Sequence, residues 1–395
     1  VEGRLRLGRF EHTVALRGPR PYERVAAPSD FRRRFSQYDA DTTVWTNTTF
    51  SPDVPDVALV AARAFRQATG EKVDGVVLID PRGIAALMPD GSSVRIRRTG
   101  ATVGPEGLAD YTYSTVYAEL GGAKESRRRA LLRLGRKAFE AILDGGALAA
   151  RATVERAGSA VAAGHIRIVS FDPDEQRVLD GLDASGDLDA APVDSLLVAA
   201  HNFSADKLDY WARRSVSHSC AIDDGDGARC TTSVTIENRA PAGLTRYVAG
   251  KPYGLLESLV EVYVPEAAEV EGVVLDGEPA EFLSDRQDGH DVVGVFVETA
   301  RGDRHEVAVT YGLPLDGGYS LEVLPQPLAH DAQLRVAIDA PASWRVEGDG
   351  ERGAGWLRYA GPLDRTMRFV AEPAGKTGLT AAWDALARFW REPLF

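Results

Sequence analysis

The segment SVSHSCAIDDGDGARCTTSVTIE, residues 215–237, constrains this chain more than any other. Strand-like residues flank a DDGDG turn, the pattern of a β-hairpin. Folded about Gly225, it sets Cys220 opposite Cys230, Val216 opposite Val234 and Ile222 opposite Ala228. Strand alternation puts Val216, Cys220 and Ile222 on one face, and Cys230, Val234 and Ile236 on the matching face of the partner. The chain has only 2 Cys, so both would meet on one buried face. A cross-strand disulfide is the reading, with two buried free thiols as the alternative. Closing so short a loop contributes roughly 2–3 kcal/mol. Such bonds persist outside the reducing cytosol, which predicts an extracytoplasmic protein.

The hairpin opens a long β-rich stretch. From about residue 208 to 373, turn signals separate short runs such as SLVEVYVP, HDVVGVFVET, HEVAVTYGLP and QLRVAIDAP. About nine or ten strands at this spacing predict an immunoglobulin-like β-sandwich over residues 206–373. Trp344, Trp356 and Tyr311 are expected in its core or corners. GLTAAWDALARFW then predicts an amphipathic C-terminal helix within 374–395, with Leu379, Trp383, Leu386 and Trp390 on one stripe.

The first half alternates differently. Ser51-Pro52 reads as a cap followed by a helix-starting proline. Val54, Val57, Ala58, Ala61, Ala64, Phe65 and Ala68 then recur at helical spacing, up to Gly70. VDGVVLID (73–80), VRIRR (94–98), HIRIVSF (165–171) and VDSLLVAAH (193–201) read as strands. Helices are expected at 81–88, 126–143 and about 173–182, with the Ala- and Gly-rich 145–164 as a linker. The fold class is therefore α+β: an N-terminal layered α/β domain over residues 1–205, then the sandwich.

Charge is unevenly spread along the chain. Residues 1–150 hold 23 Lys and Arg against 18 Asp and Glu, and the remainder holds 23 against 40, giving the net −12. A basic front half fits either ordinary surface charge for solubility or an anionic ligand. Nucleic acid is excluded as a partner by the small excess, the absence of a basic stripe with interleaved aromatics and the pI of 5.2. No run is long and apolar enough to span a bilayer. The 7 His are scattered without metal spacing, and no Walker loop, nucleophile-elbow serine or dinucleotide fingerprint occurs.

Four groups of residues could carry chemistry. Arg127, Arg128 and Arg129 follow Ser126; as the first turn of a helix they oppose its dipole, an arrangement a bound phosphate would offset. The solvated reading starts that helix earlier. Arg32, Arg33 and Arg34 form a second cluster, with the solvated reading beside the phosphate one. Asp39 and Asp41 offer hard oxygen ligands that could hold magnesium against a pyrophosphate, or simply form turns. Trp45 and Asn47 could line a pocket beside the helix that follows Ser51, or Asn47 could simply hold a turn.

WTNTTFSPDVPDVALVAARAFRQATGEKVDGVVLIDPRGIAALM (45–88) is similar to the actinobacterial envelope family DUF4012, as is NFSADKLDYWARRSVSH with a β-rich tail containing Pro325-Gln326-Pro327. The resemblance implies an extracytoplasmic protein of the cell envelope, anchored to the plasma membrane by a span upstream of Val1. The front segment also resembles, more distantly, the LytR-CpsA-Psr phosphotransferases, which move glycans from a polyprenyl-pyrophosphate carrier to peptidoglycan. That resemblance matches Asn47 to the asparagine of their Lys-Ile-Asn stretch, with Trp45 where the lysine would stand. Arg127 and Arg128 fall near their arginine-rich helix start. It implies a LytR-CpsA-Psr-like front domain and an anionic, lipid-linked or cell-wall glycan ligand. Three functions follow as expectations: binding of a polyprenyl-(pyro)phosphate or envelope glycan, an active phosphotransferase attaching a lipid-linked glycan to the wall, and a non-catalytic structural ectodomain.

Overall fold

The hairpin folds in the register its alternation dictates. In the computed structural model Cys220 pairs with Cys230, Val216 with Val234 and Ile222 with Ala228, and the two buried sulfurs form a disulfide. The structure describes residues 7–144, 150–188, 193–204, 206–223 and 227–374. The expected C-terminal helix and the tip of the DDGDG turn lie outside these.

Around the hairpin an eight-stranded sheet forms in the order Glu278–Pro279, Glu269–Leu275, Arg304–Pro314, Gly227–Asn238, Ala212–Ile222, Gln333–Asp339, Trp356–Pro362 and Glu351–Gly353. A seven-stranded sheet has the order Leu283–Gln287, His290–Thr299, Leu256–Pro265, Asp194–Asn202, Tyr319–Leu324, Met367–Pro373 and Trp344–Glu347. Neighbours are antiparallel except for one parallel pair per sheet, Gln333–Asp339 on Ala212–Ile222 and Tyr319–Leu324 on Asp194–Asn202. Alternating residues of both sheets, among them Val216, Cys230, Val260, Val262, Tyr311 and Leu321, make one continuous core. The sheets are larger than an immunoglobulin domain's total of about seven to nine strands. Tyr311 is buried and Trp344 packs against the core, but Trp356 is exposed on a strand next to the sheet edge.

The strand expected at 193–201 belongs to this sandwich. Asp194–Asn202 is the central strand of the seven-stranded sheet, not a strand of the front unit. Its near-continuous burial explains the misplacement, since an apolar run without alternation carries no mark of which layer it joins.

The front unit is mainly helical. Its strands Gly75–Ile79 and Ile166–Ser170 pair antiparallel as a two-stranded ribbon, with Ile79 opposite Ile166. A second ribbon joins Val94–Arg95 to Thr102–Val103, so little of VRIRR is strand. The layered α/β arrangement thus reduces, among the described residues, to helices around short antiparallel ribbons. The helix Val54–Thr69 is capped by Asp53 rather than Ser51; the Asp53 side chain accepts from the Asp56 N–H, and Gly70 ends the helix at φ +78°. Lys124–Asp144 starts ahead of Ser126, which is therefore not its cap. Arg151–Ala162 is helical where a linker was expected.

Arg34 ties the two halves together. It projects from the helix Ser29–Phe35 onto the outer face of the seven-stranded sheet, only 4% exposed. It donates to Tyr263 Oη at 2.6 Å, to Glu261 Oε1 at 2.7 Å and to Gln287 Oε1. Beside it Leu188, Leu197, Ala199, Tyr263 and Val292 form a small apolar cluster. On the other side Arg82 holds Asp331 and the Leu328 carbonyl of the sandwich.

Candidate functional site: a cleft between the front unit and the seven-stranded sheet

Between these anchor points a cleft of about 920 Å³ remains. The helix Val54–Thr69 and the ribbon supply Val54, Val57, Ala61 and Leu78, and the sheet supplies Leu197 and Leu324. These apolar residues recur where the periodicity of each element turns one side inward. Pro325-Gln326-Pro327 closes one side, its Gln326 amide clamped to the Ala200 backbone N–H and carbonyl at 3.1 and 3.2 Å.

The cleft's charged groups are not equivalent. Arg368 is paired with Glu322 at 2.7 Å and reaches Asp183 at 3.5 Å. Arg167 has no ion pair among the described residues. It donates one hydrogen bond, to the Asp183 carbonyl oxygen, while a guanidinium carries five N–H donors. Burial lowers its pKa, with the Asp183 charge opposing. Two glycines cradle it. A Cβ on Gly186 would lie 2.9 Å from Arg167 Cδ, and one on Gly164 would lie 3.3 Å from its Nη2. The side chain therefore occupies a channel only glycine leaves open.

Two residues before Arg167, and so on the same side of the chain, lies His165. It is 3% exposed. Its Nδ1 donates to Asp80 Oδ2 at 2.8 Å, an oxygen that also accepts from Tyr113 Oη at 3.3 Å. The other oxygen, Oδ1, caps the next helix by accepting from the Gly83 N–H at 2.9 Å. With the carboxylate fixed at both oxygens, the imidazole is held as the Nδ1–H tautomer. Among the described residues its buried Nε2 has no hydrogen-bond partner, and neither do Trp45 Nε1 and Thr48 Oγ1 on the same lining. Sequence reading passed over this dyad. The ribbon's register carries the signal: extending the Ile79–Ile166 pair by one residue sets Asp80 against His165, and the Asp80 N–H donates to the His165 carbonyl at 3.1 Å.

Of the candidate phosphate and metal residues Arg32, Arg33, Asp39, Asp41, Trp45, Asn47, Arg127 and Arg128, Trp45 lines the cleft and the others do not. Asn47 donates to the Tyr38 carbonyl at 2.6 Å and holds a turn. Asp39 and Asp41 are engaged by protein groups: Arg24 reaches both, and Asp41, buried, also accepts from Ser36 Oγ at 2.7 Å. The arginines are not gathered at one rim. Arg32 is exposed, and Arg33 bridges Asp30 at 2.7 Å and Asp285 at 3.0 Å on the surface. Arg127 is buried, its guanidinium 4.0 Å from the Tyr247 ring and 5.1 Å from the Tyr117 ring, and it donates to the Gly121 carbonyl. Arg128 pairs with Glu125 at 3.1 Å. Aromatic faces and local carboxylates engage Arg33, Arg34, Arg127 and Arg128, four of the arginines for which a phosphate was invoked.

Carboxylates gather elsewhere. Oxygens of Asp53, Asp56 and Asp288 lie within 4.8 Å of one another, a donor set of the type that holds hard cations. Burial, reinforced by neighbouring carboxylates, pushes Asp53 and Asp56 up to about 6.

Residues 1–117 match the model of a family described as Protein of unknown function (DUF4012), in agreement with the resemblance drawn from the sequence. No curated protein matches the chain. Among solved structures, an M1 zinc metallopeptidase from Deinococcus radiodurans is 10% identical, covering 41% of this chain and 42% of its own, with a TM-score of 0.25. A candidate nutrient binding protein from Legionella pneumophila is 7% identical, covering 47% of this chain and 72% of its own, with a TM-score of 0.31. The chain thus spans about two fifths of the metallopeptidase. Likenesses at these scores carry no argument about activity.

Proposed function

We propose that this protein binds, at the cell envelope and outside the cytoplasm, an amphiphile with an extended apolar chain and an anionic head, of the polyprenyl-(pyro)phosphate class that carries envelope glycans. One observation carries the reading: among the described residues Arg167 is a partly buried guanidinium, confined in the cleft by two glycines, that makes no ion pair. Burial disfavours its charge and Asp183 only partly opposes that, so a ligand phosphate would favour the charged form further while using the remaining N–H donors. The apolar wall from Val54 to Leu324 suits an isoprenoid chain. The buried disulfide supports an oxidising compartment, and among the described residues no helix is long and apolar enough to cross a membrane. The LytR-CpsA-Psr-like and immunoglobulin-like assignments of the two halves belong with this reading.

The test is equilibrium binding of a fluorescent farnesyl phosphate analogue and of the matching alcohol. The phosphate binds more tightly to the wild type, and Arg167→Met weakens it by about tenfold or more while leaving the alcohol unaffected. Equal affinities for phosphate and alcohol in the wild type would defeat the reading.

The second reading, transfer of the head group to an acceptor, is favoured by the Asp80–His165 dyad. An imidazole with a fixed Nδ1–H and an unpartnered Nε2 beside the anion subsite is equipped to take a proton from an attacking hydroxyl. Turnover lost in His165→Gln, with farnesyl phosphate binding retained, supports it.

A further inference from the structure

The outer face of the seven-stranded sheet does not end at the cleft. Leu197, Ala199 and His201 form part of the cleft wall. Across the ladder, His201 pairs with Leu259 and Leu259 with Phe296, so Phe296 lies on the same face two strands away. Leu283 pairs with Gly294, two residues before Phe296, and shares that face as well. There the cover from the front unit runs out. Phe296 is 52% exposed, Leu283 51% and Phe203 37%. Large apolar side chains gathered on one open face mark an interaction surface rather than scattered surface residues.

The patch is joined to the cleft by rings in edge-to-face contact. Phe296 meets Phe203 at 5.2 Å, Phe203 meets Tyr38 at 5.8 Å, Tyr38 meets Phe50 at 5.6 Å and Phe50 meets His201 at 5.8 Å between centroids. Phe50 and His201 line the cleft. An unbroken aromatic path therefore leads from the exposed patch to the proposed binding site.

We infer that Phe203, Leu283 and Phe296 dock this protein on a lipid bilayer surface, with the aromatic path opening the cleft toward the membrane that holds its amphiphilic ligand. The inference rests on the amphiphile reading, because a ligand of that class resides in a bilayer and must leave it through an apolar route. The net charge of −12 selects the mode of attachment. An acidic chain gains little from anionic lipid, so the contact is insertion of apolar rings at the interface, independent of lipid charge and resistant to salt.

Co-flotation with phosphatidylcholine vesicles tests this. The wild type floats, at low and high salt alike. The double variant Phe203→Ser, Phe296→Ser floats about fivefold less or worse, and Val178→Ser, an exposed apolar residue on the helix Pro173–Gly181 outside the patch, floats as the wild type does. Phe296→Cys carrying an environment-sensitive dye gives a second reading that does not require loss of a contact, since its emission rises and shifts to the blue when vesicles are added. Wild-type protein that stays unbound, or dye emission that responds to protein concentration rather than to vesicles, overturns the inference, the latter assigning the patch to a second copy of the chain. Soluble farnesyl phosphate binding in the same variants separates the two ideas. If it persists while vesicle binding is absent, the docking surface is wrong and the cleft reading stands; if it is absent in the wild type, the cleft reading itself falls.

Discussion

Tyr319 Oη lies 2.8 Å from Asp194 Oδ2 in the middle of the sandwich, where both side chains are fully buried. Tyr311 Oη donates to the same carboxylate at 3.2 Å. Burial pushes Asp194 up to about 7, against the hydrogen bonds from Tyr319 and Tyr311 that favour the charge. A raised carboxyl is protonated in the folded chain where the unfolded chain has already ionised. The stability it contributes is complete below about 3.9, and it is lost as pH rises through about 7, a swing on the order of a few kcal/mol. His218, 3.9 Å away, acts in the opposite sense: burial lowers it to about 4, so its contribution is complete above about 6.5 and lost as pH falls toward 4. Subtracting wild-type from Asp194→Asn unfolding free energies at each pH isolates the carboxyl. The difference moves in favour of the variant between about pH 4 and 7 and is level above that. Parallel curves would contradict the assignment.

Arg34→Met leaves Glu261 buried without its arginine partner, with His201 Nε2 at 3.1 Å and Tyr263 Oη at 3.4 Å as its remaining side-chain hydrogen-bond neighbours. Removing one partner of a buried, hydrogen-bonded pair costs about 3–5 kcal/mol. Chemical denaturation should show that loss, while the neighbouring exposed Arg32→Ala stays within about 0.5 kcal/mol of wild type. Equal behaviour of the two would mean that Arg34 does not join the halves as described.

Arg127 and Arg167 separate stability from binding. Arg127 is held between the Tyr117 and Tyr247 rings, which stack 5.9 Å apart, and a desolvated cation–π contact is worth about 2 kcal/mol. Arg127→Ala therefore lowers the denaturation midpoint and leaves farnesyl phosphate affinity unchanged. Arg167→Met does the reverse. A fall in affinity in Arg127→Ala at full folding would return the phosphate site to that helix.

How far the sequence carried these conclusions depended on whether each signal was local. The Cys220–Cys230 register could be read because alternation and one turn determine it. The helix ending at Gly70 could be read for the same reason, although its cap moved to Asp53, whose carboxylate also binds the Leu188 N–H from a distant loop at 3.1 Å. The arginine clusters misled because charge density does not reveal partners. Tyr247, which covers Arg127, is 120 positions away in the sequence, and Asp285, which pairs with Arg33, lies on the sheet edge. Arg167 drew no attention since nothing within HIRIVSF distinguishes it. Its isolation arises only when Gly164, Gly186 and the sheet close around it.

Gly186 offers the sharpest control on the cleft. Its φ is +72°, and an added Cβ would stand 2.9 Å from Arg167 Cδ, 3.0 Å from Arg167 Nε and 3.0 Å from Val54 Cγ2. Gly91 has nearly the same backbone, φ +71°, with nothing within 4 Å of the added atom. Gly186→Ala and Gly91→Ala thus carry a comparable backbone cost of about 1 kcal/mol or more. Only the first forces the guanidinium out of its channel and crowds the apolar wall. Farnesyl phosphate affinity should fall about tenfold in Gly186→Ala and hold in Gly91→Ala, measured on folded protein at matched circular dichroism. Undiminished affinity in Gly186→Ala would show that the anionic head does not sit on Arg167 in the position its glycine cradle defines.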